Sequence, residues 1–339
     1  MPNPTFSQET TPHSPDVAER ETSDGGFSAD WGFHMKPSVR YWLDCHTHMR
    51  EDSVPQILQA VEGWHGFMWA HRLRRHAGVD GSDERCEAFA AAAQADDRFL
   101  WLCRIPHDRP DQEHLDRCKT LGAVGIKLHN APIITRGEDR KVVLSDDWHG
   151  IYERAGALRM PILWHVTQRL TDSPYTGGGR NSYWKDGWEK GVRYTNQDLL
   201  DDFLEVVSSH RRTAFIGAHQ LHVGPERLSE LFDTHPNLYA DTSIGCFVAA
   251  DDRMYPADLS RWRDFFIRNA DRMCFGTDSV IGHQTASTEL LRQHFLGHVR
   301  FLKHLDLPQD ALSKVARGNF ERLAGLEPVD PFPWGALRP

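Results

Sequence analysis

Eight short apolar runs, each parted from the next by further chain that is mostly of helical period, restrict most what this sequence can fold into. Arg40–Cys45, Gly66–Ala70, Phe99–Ile105 and Ala123–Leu128 come first. Pro161–Val166, Ala214–Ala218, Leu238–Thr242 and Met273–Gly276 follow. Helical stretches lie between them at Asp83–Ala95, Gln112–Leu121, Asp146–Leu158, Asn196–Ser209, Pro225–Thr234 and Pro256–Asn269. Strands that alternate with such helices become parallel neighbours, because each helix carries the chain back along the sheet. Eight units of this kind point to an α/β fold of the (β/α)8 barrel type in a single domain, with an open doubly wound sheet as the alternative. A chain of 339 residues suits a barrel, and 40% apolar residues can fill it.

The barrel is expected over residues 38–328. Residues 1–37 are rich in Pro, Ser, Thr, Asp and Glu without apolar periodicity, which reads as a flexible arm or a segment wrapping a neighbouring subunit. Residues 329–339 read as a C-terminal tail. No run approaches the ~20 apolar residues of a membrane helix, and no apolar core of a signal peptide stands at the N-terminus. A net charge of −9 argues against a nucleic-acid footprint. The expected partner is a small-molecule substrate rather than nucleic acid or membrane, with homo-oligomerisation left open. Six cysteines are scattered, form no CxxC pair and match neither a disulfide framework nor a zinc ribbon, so a reduced, cytoplasmic setting is expected.

In a barrel, groups at the C-terminal ends of the strands meet at one mouth. The first strand runs out in Asp44-Cys45-His46-Thr47-His48, and residues two apart on an extended chain share a side, so His46 and His48 face the mouth together. The fourth ends in Gly125-Ile126-Lys127-Leu128-His129, the fifth at His165, the sixth at His219 and the eighth at Asp278. Neutral imidazoles and a carboxylate suit Zn2+ or a similar divalent ion. A catalytic site of that kind keeps a position open to water, whose pKa falls towards ~7. Asp278 is placed to shuttle a proton, and His219, if free of metal, to act as acid or base. Singly, each residue has an ordinary structural reading: a snorkelling Lys127, a core His165, an Asp278 that caps a helix or closes a turn. Jointly, the succession of strand ends favours a metal site.

The strings DCHTH, GIKLH, PILWHV, FIGAHQ, NLYADTS and RMCFGTDS, closed by VARGNFERLAGL, resemble the amidohydrolase superfamily over about residues 40–326. The nearest branch is amidohydrolase family 2, TIM-barrel metal-dependent hydrolases that also include non-oxidative decarboxylases. The resemblance implies His46, His48, His165 and Asp278 as metal ligands, with zinc most usual. It places His219 at a position that is catalytic in mononuclear members and a ligand in binuclear ones. Lys127 stands where binuclear members carry a carboxylated bridging lysine; one ion is the preferred count and two the alternative. The sequence departs from the branch at His219-Gln220-Leu221-His222, where a glycine-rich turn is common. It departs again in the long Thr167–Thr195 connection, which reads as a lid or contact surface.

Substrate contacts are expected from Tyr175, Arg180 and Trp184 in that connection, whose other aromatic and cationic residues include Tyr194, and from Arg104 near the end of the third strand. A subunit interface is the competing use of the loop residues. Asp241 reads as a structural hydrogen-bonding group or an orienting one. Two activities follow: hydrolysis of a small carboxylated or aromatic amide, ester or lactone, or non-oxidative decarboxylation of an aromatic or unsaturated acid. A barrel kept only for binding should have lost a ligand, and none of the implied set is missing.

Overall fold

The computed structural model describes residues 41–48, 66–71, 83–95, 99–167, 191, 194–243, 255–280, 295, 297–299 and 301–328. The calls on the N-terminal arm, the C-terminal tail and most of the 167–195 connection lie outside these residues.

The strands are β1 (Trp42–His48), β2 (Gly66–His71), β3 (Phe99–Arg104), β4 (Gly125–His129), β5 (Ile162–His165), β6 (Phe215–Gly217), β7 (Leu238–Asp241), β8 (Met273–Cys274) and β9 (Ser279–Val280). All pair in parallel, in the order β8-β7-β6-β5-β4-β3-β2-β1-β9. The two ends of this row, β8 and β9, are pieces of one stretch, so the row closes on itself. The Cys45 amide donates to the Phe275 carbonyl at 2.9 Å and the Asp278 amide to the His46 carbonyl at 2.7 Å across the seam. The sheet is therefore an eight-stranded barrel whose last strand is broken at its mouth end, and the open-sheet alternative falls. Closure leaves the seam strands no unpaired edge.

Helices α1 (Asp83–Ala95), α2 (Gln112–Thr120), α3 (Ala131–Arg136), α4 (Asp146–Ala157), α5 (Asn196–Ser209), α6 (Pro225–Thr234) and α7 (Tyr255–Arg268) punctuate the strands. Helix α5 shows why they form where the sequence expects. Leu199, Phe203, Val206 and Val207 recur at helical spacing and are buried. Thr195 caps its start, accepting from the Asp198 amide while the Asp198 side chain accepts from the Thr195 amide. The short α3 has no counterpart in the expectations, since six residues are too few to show a period.

The barrel interior holds Leu43, Cys45, Leu102, Leu163, Ile216 and Cys274, and Phe320 and Ala324 of the closing helix Asn319–Ala324 join the same cluster. Asn319 fastens that helix by donating to the carbonyls of Ala270 and Met273 at 2.6 and 2.7 Å. Gly325, at φ 64, ends it in the left-handed conformation glycine adopts without steric cost. On β1, Leu43 and Cys45 pack inside this cluster, and the strand runs on past them to His46 and His48.

Candidate metal centre at the barrel mouth

Strand alternation alone would not bring His46 and His48 to the mouth, because Leu43 and Cys45 already face inward. The β1–β2 pairing shifts register between Asp44 and Thr47, and such an irregularity re-aims the side chains beyond it. Asp44 pins the re-aimed segment to the broken eighth strand. Its carboxylate accepts from the amides of His46 and Thr277 at 3.1 and 3.0 Å and from the Thr277 hydroxyl at 2.6 Å. Burial raises Asp44 to about 7, against the pull of these hydrogen bonds. Gly276 makes the close approach feasible, since a Cβ there would sit 2.9 Å from His46 Cβ and 3.2 Å from Asp241 Cβ. Asp278 then takes φ 56, a left-handed conformation that Asp tolerates better than most side chains.

The result is a convergence of three donor groups. Asp278 Oδ1 lies 2.6 Å from His48 Nε2 and 3.1 Å from His46 Nε2. One ligand atom from each of His46, His48 and Asp278 lies within 4.8 Å of the others. Asp278 Oδ1 is nevertheless a buried oxygen that accepts no hydrogen bond of sound geometry. A buried, charged oxygen left in that state is costly unless a cation meets it. Burial acts to raise Asp278, but the charges of His46 and His48 override it and hold the carboxyl well below its usual range. Burial lowers His48 to about 4, and lowers His219 too, so both rings are neutral at pH 7, as ligation requires. Burial and Lys127 would lower His46, yet Asp278 and Asp241 on its two sides leave it raised.

One carboxylate sets the tautomers of two of these rings. Burial acts to raise Asp241, but His46 and the hydrogen bonds it receives hold it at about 2, so it only accepts. His46 Nδ1 lies 2.5 Å from Asp241 Oδ2 and carries the proton of that bond, which turns the Nε2 lone pair towards Lys127 and the mouth. The Ser243 hydroxyl donates to Asp241 Oδ1 at 2.6 Å, so its oxygen accepts from His219 Nδ1 at 3.0 Å. His219 Nε2 is thereby left bare, 3.8 Å from Asp278 Oδ2 and 3.4 Å from His165 Nδ1. Asp241 is thus the orienting group, and Ser243 relays its effect. Neither role shows in a strand pattern.

At His219-Gln220-Leu221-His222, where the sequence departs from the glycine-rich turn of the branch it resembles, the chain makes a left-handed turn without glycine. His219, Gln220, Leu221 and His222 have φ of 58, 51, 54 and 57. That conformation costs roughly 1–2 kcal/mol per residue and persists only where the surroundings impose it. Here the His219 amide donates to Asp241 Oδ1 at 2.8 Å, and Gln220 Nε2 donates to the carbonyls of Asp241 and Ser243 at 2.5 and 3.1 Å. The Thr167 hydroxyl donates to the Leu221 carbonyl at 3.0 Å. A Cβ at Gly217 would meet Leu221 Cδ2 at 2.5 Å, so glycine before the turn allows Leu221 to fold back. His222 is carried round to stack on His219, with ring centroids 5.3 Å apart.

The other expected residues fall into three groups. Lys127 is buried with Nζ 3.1 Å from His46 Nε2, and burial lowers it to about 8. His165 lies one step further from the triad, against His219 and with its ring 4.1 Å from that of His129. His129, which ends the fourth strand two residues beyond Lys127 and whose Nδ1 accepts from the Ala131 amide at 2.8 Å, belongs to the same histidine cluster. Arg104 pairs in register with Lys127 and so shares its face of the sheet. Tyr194 is spent on packing: its hydroxyl donates to the carbonyls of Ile133 and Glu138 at 2.9 and 3.2 Å. Tyr175, Arg180 and Trp184 lie outside the described residues.

A closed parallel barrel with imidazoles and a carboxylate gathered at the C-terminal ends of its strands defines a class, the metal-dependent barrel proteins. The chain matches the Amidohydrolase family over residues 44–326, and it belongs to that family. Members of the family are generally enzymes and typically bind a divalent metal. No curated protein matches the chain. Among solved structures it is similar to dihydroorotase from Campylobacter jejuni, with a TM-score of 0.55 and 16% identity, covering 86% of this chain and 85% of that one. It is similar too to 2,6-dihydroxybenzoate decarboxylase from Rhizobium, at 0.54 and 15%, over 84% and 98% of the two chains. A probable 2-pyrone-4,6-dicarboxylic acid hydrolase from Acinetobacter baumannii, solved with citric acid, gives 0.53 and 13% over 84% and 99%. At these identities the likeness speaks for the fold. Among the described residues no helix is long and apolar enough to cross a membrane.

Proposed function

We propose that the protein is a metal-dependent hydrolase of a small carboxylated or aromatic amide, ester or lactone. The observation that carries this reading is Asp278 Oδ1, buried without a hydrogen bond between His46 and His48. These three residues would hold one divalent ion, zinc by its donor preference, with His165 as a fourth ligand. When bound, such an ion supplies Lewis acidity and lowers the pKa of water in its open position.

The chain's own groups do the rest. Asp278 remains a carboxylate, and its Oδ2 faces the bare Nε2 of His219, so the pair can take a proton from water and return it to a leaving group. Asp241 keeps both rings in the tautomers this requires. Lys127 adds positive charge beside His46, or, if carboxylated, an oxygen ligand for a second ion. Arg104, on the face of Lys127, is the group assigned to a substrate carboxylate, with Tyr175, Arg180 and Trp184 completing the pocket. The structures similar in fold include proteins named for a dicarboxylic acid and a benzoate, which supports a carboxylated substrate.

Decarboxylation is the second reading, since one of those similar structures is a decarboxylase. Incubation of carboxylated candidates in ¹⁸O-labelled water separates the two. Solvent oxygen in the organic product is expected; release of CO2 with none incorporated would overturn hydrolysis.

A further inference from the structure

A second group of donors lies on the barrel's flank, away from the mouth. Cys86 is on α1, Cys103 on β3, and His114 and Cys118 one turn apart on α2. All four are buried. On α1 the buried positions Cys86, Phe89 and Ala90 form its inner face, and Phe89 lies over Phe99 and Trp101 with centroids 6.0 and 6.1 Å away. Phe99, Trp101 and Cys103 are alternate residues of β3, so Cys103 points out of the barrel towards this face. On α2 the spacing of His114 and Cys118 puts both on the side turned to the sheet.

Two of the donor–donor distances match the edges of a tetrahedral site. Cys86 Sγ lies 3.6 Å from Cys118 Sγ, and Cys118 Sγ lies 3.5 Å from His114 Nε2. Around zinc, with bonds of about 2.3 Å to sulfur and 2.0–2.1 Å to nitrogen, tetrahedral angles set S···S at about 3.8 Å and S···N at about 3.6 Å. One ligand atom from each of Cys86, His114 and Cys118 lies within 4.8 Å of the others. Cys103 stands outside that group of three but neighbours Cys118, whose thiol it pushes up, and is the fourth donor assigned to the site.

We infer that Cys86, Cys103, His114 and Cys118 form a Cys3His site for a zinc-class structural ion, distinct from the centre at the mouth. Thiolate sulfur with one imidazole in tetrahedral array selects zinc among the common divalent ions. Four protein ligands leave no open position, so the site is structural and staples α1 and α2 to β3. Three thiolates and one dication leave a net charge of −1, which the Arg117 guanidinium beside His114 offsets. Ligation through Nε2 puts the His114 proton on Nδ1. Arg117, whose Nη2 lies 3.4 Å from Nδ1, keeps its charge beside the site while its exposed side chain shifts off the protonated Nδ1.

Cobalt(II) distinguishes this site from the mouth, whose donors are nitrogen and oxygen. The full-length protein, kept reduced and loaded with Co2+, is expected to show a thiolate-to-cobalt charge-transfer band in the near ultraviolet. The band should persist in His48→Ala, which damages only the mouth, and vanish in Cys118→Ser and Cys86→Ser. Should those variants fail to fold, zinc-edge X-ray absorption of the wild type reads the same point, with sulfur scatterers expected at about 2.3 Å. Absence of the band and of sulfur scatterers in the wild type overturns the site. A Cys86–Cys118 disulfide in the freshly isolated protein, found by mass after alkylation, overturns it too. Loss of metal in His48→Ala alone bears on the mouth and leaves the flank site standing.

Discussion

At the mouth of the barrel the donor atoms hang from the ends of strands; on its flank they hang from the inner faces of two helices and the back of one strand. The mouth mixes imidazoles and carboxylates, keeps Asp278 partly open to solvent, and surrounds its ligands with groups that set their protonation. The flank is closed, rich in sulfur, and packed among Phe89, Phe99 and Trp101. The same closed sheet thus offers two coordination chemistries. An open position and proton-handling neighbours suit turnover at one, and the proposed closed set of four donors suits fastening at the other.

The sharpest break between the two regions should come from Asp278→Asn. It removes the residue proposed as both ligand and proton acceptor, and kcat is expected to fall by at least about 10²–10⁴-fold, the usual worth of a general base. The cobalt–thiolate band should stay unchanged. Retained turnover would detach Asp278 from the chemistry.

Asp241→Asn should be milder and should act on the mouth alone. The amide can donate where the carboxylate only accepted, so the tautomers of His46 and His219 lose their common anchor. Metal affinity at the mouth is expected to drop by about 10–100-fold, the range for removal of such an orienting partner. Competition with a chromophoric chelator measures it. An unchanged affinity would leave Asp241 a purely structural group.

Thr195→Ala is the smallest change and the control. It removes the cap of α5, remote in sequence from both clusters, and should cost about 1 kcal/mol in denaturant unfolding. Metal content at both sites should not move. A change in either would mean that loss of α5 packing propagates through the barrel.

Most of the barrel was legible beforehand because its signals are local. Helices α1, α5 and α6 begin and end where apolar period, caps and Pro225 place them. The strands differ from expectation only at their ends, by one to three residues in most cases. The eighth departs further, splitting into Met273–Cys274 and Ser279–Val280 around the left-handed Asp278. The donors at the mouth were legible for a related reason: in a parallel barrel every strand delivers its last residues to one place, so a linear succession of endings is also a spatial list. The sequence left Asp241 between a structural and an orienting role, and its bond to His46 decides for the second; Ser243 and Gln220 had no signal, because what they do depends on hydrogen bonds to a backbone run that a glycine-free sequence gives no cause to expect. The flank donors carry no such signal: the six cysteines are scattered without a CxxC pair, and Cys86, Cys103 and Cys118 come near one another only because three successive elements of the barrel face one another.

Sequence by itself determined the alternation of strand and helix, the count of eight strands, and the identities of His46, His48, His165, His219 and Asp278 at the strand ends; closure was decided by the seam bonds. Tertiary structure alone decided which of these meet. The slip in β1 turns His46 and His48 inward, the break after Cys274 swings Asp278 over them, and Asp241 orients the rings from the far side of the mouth. Periodicity within a strand carries no information about such slips and breaks. They arise from contacts between residues up to 233 positions apart, such as Asp44 and Thr277, which exist only once the barrel has closed.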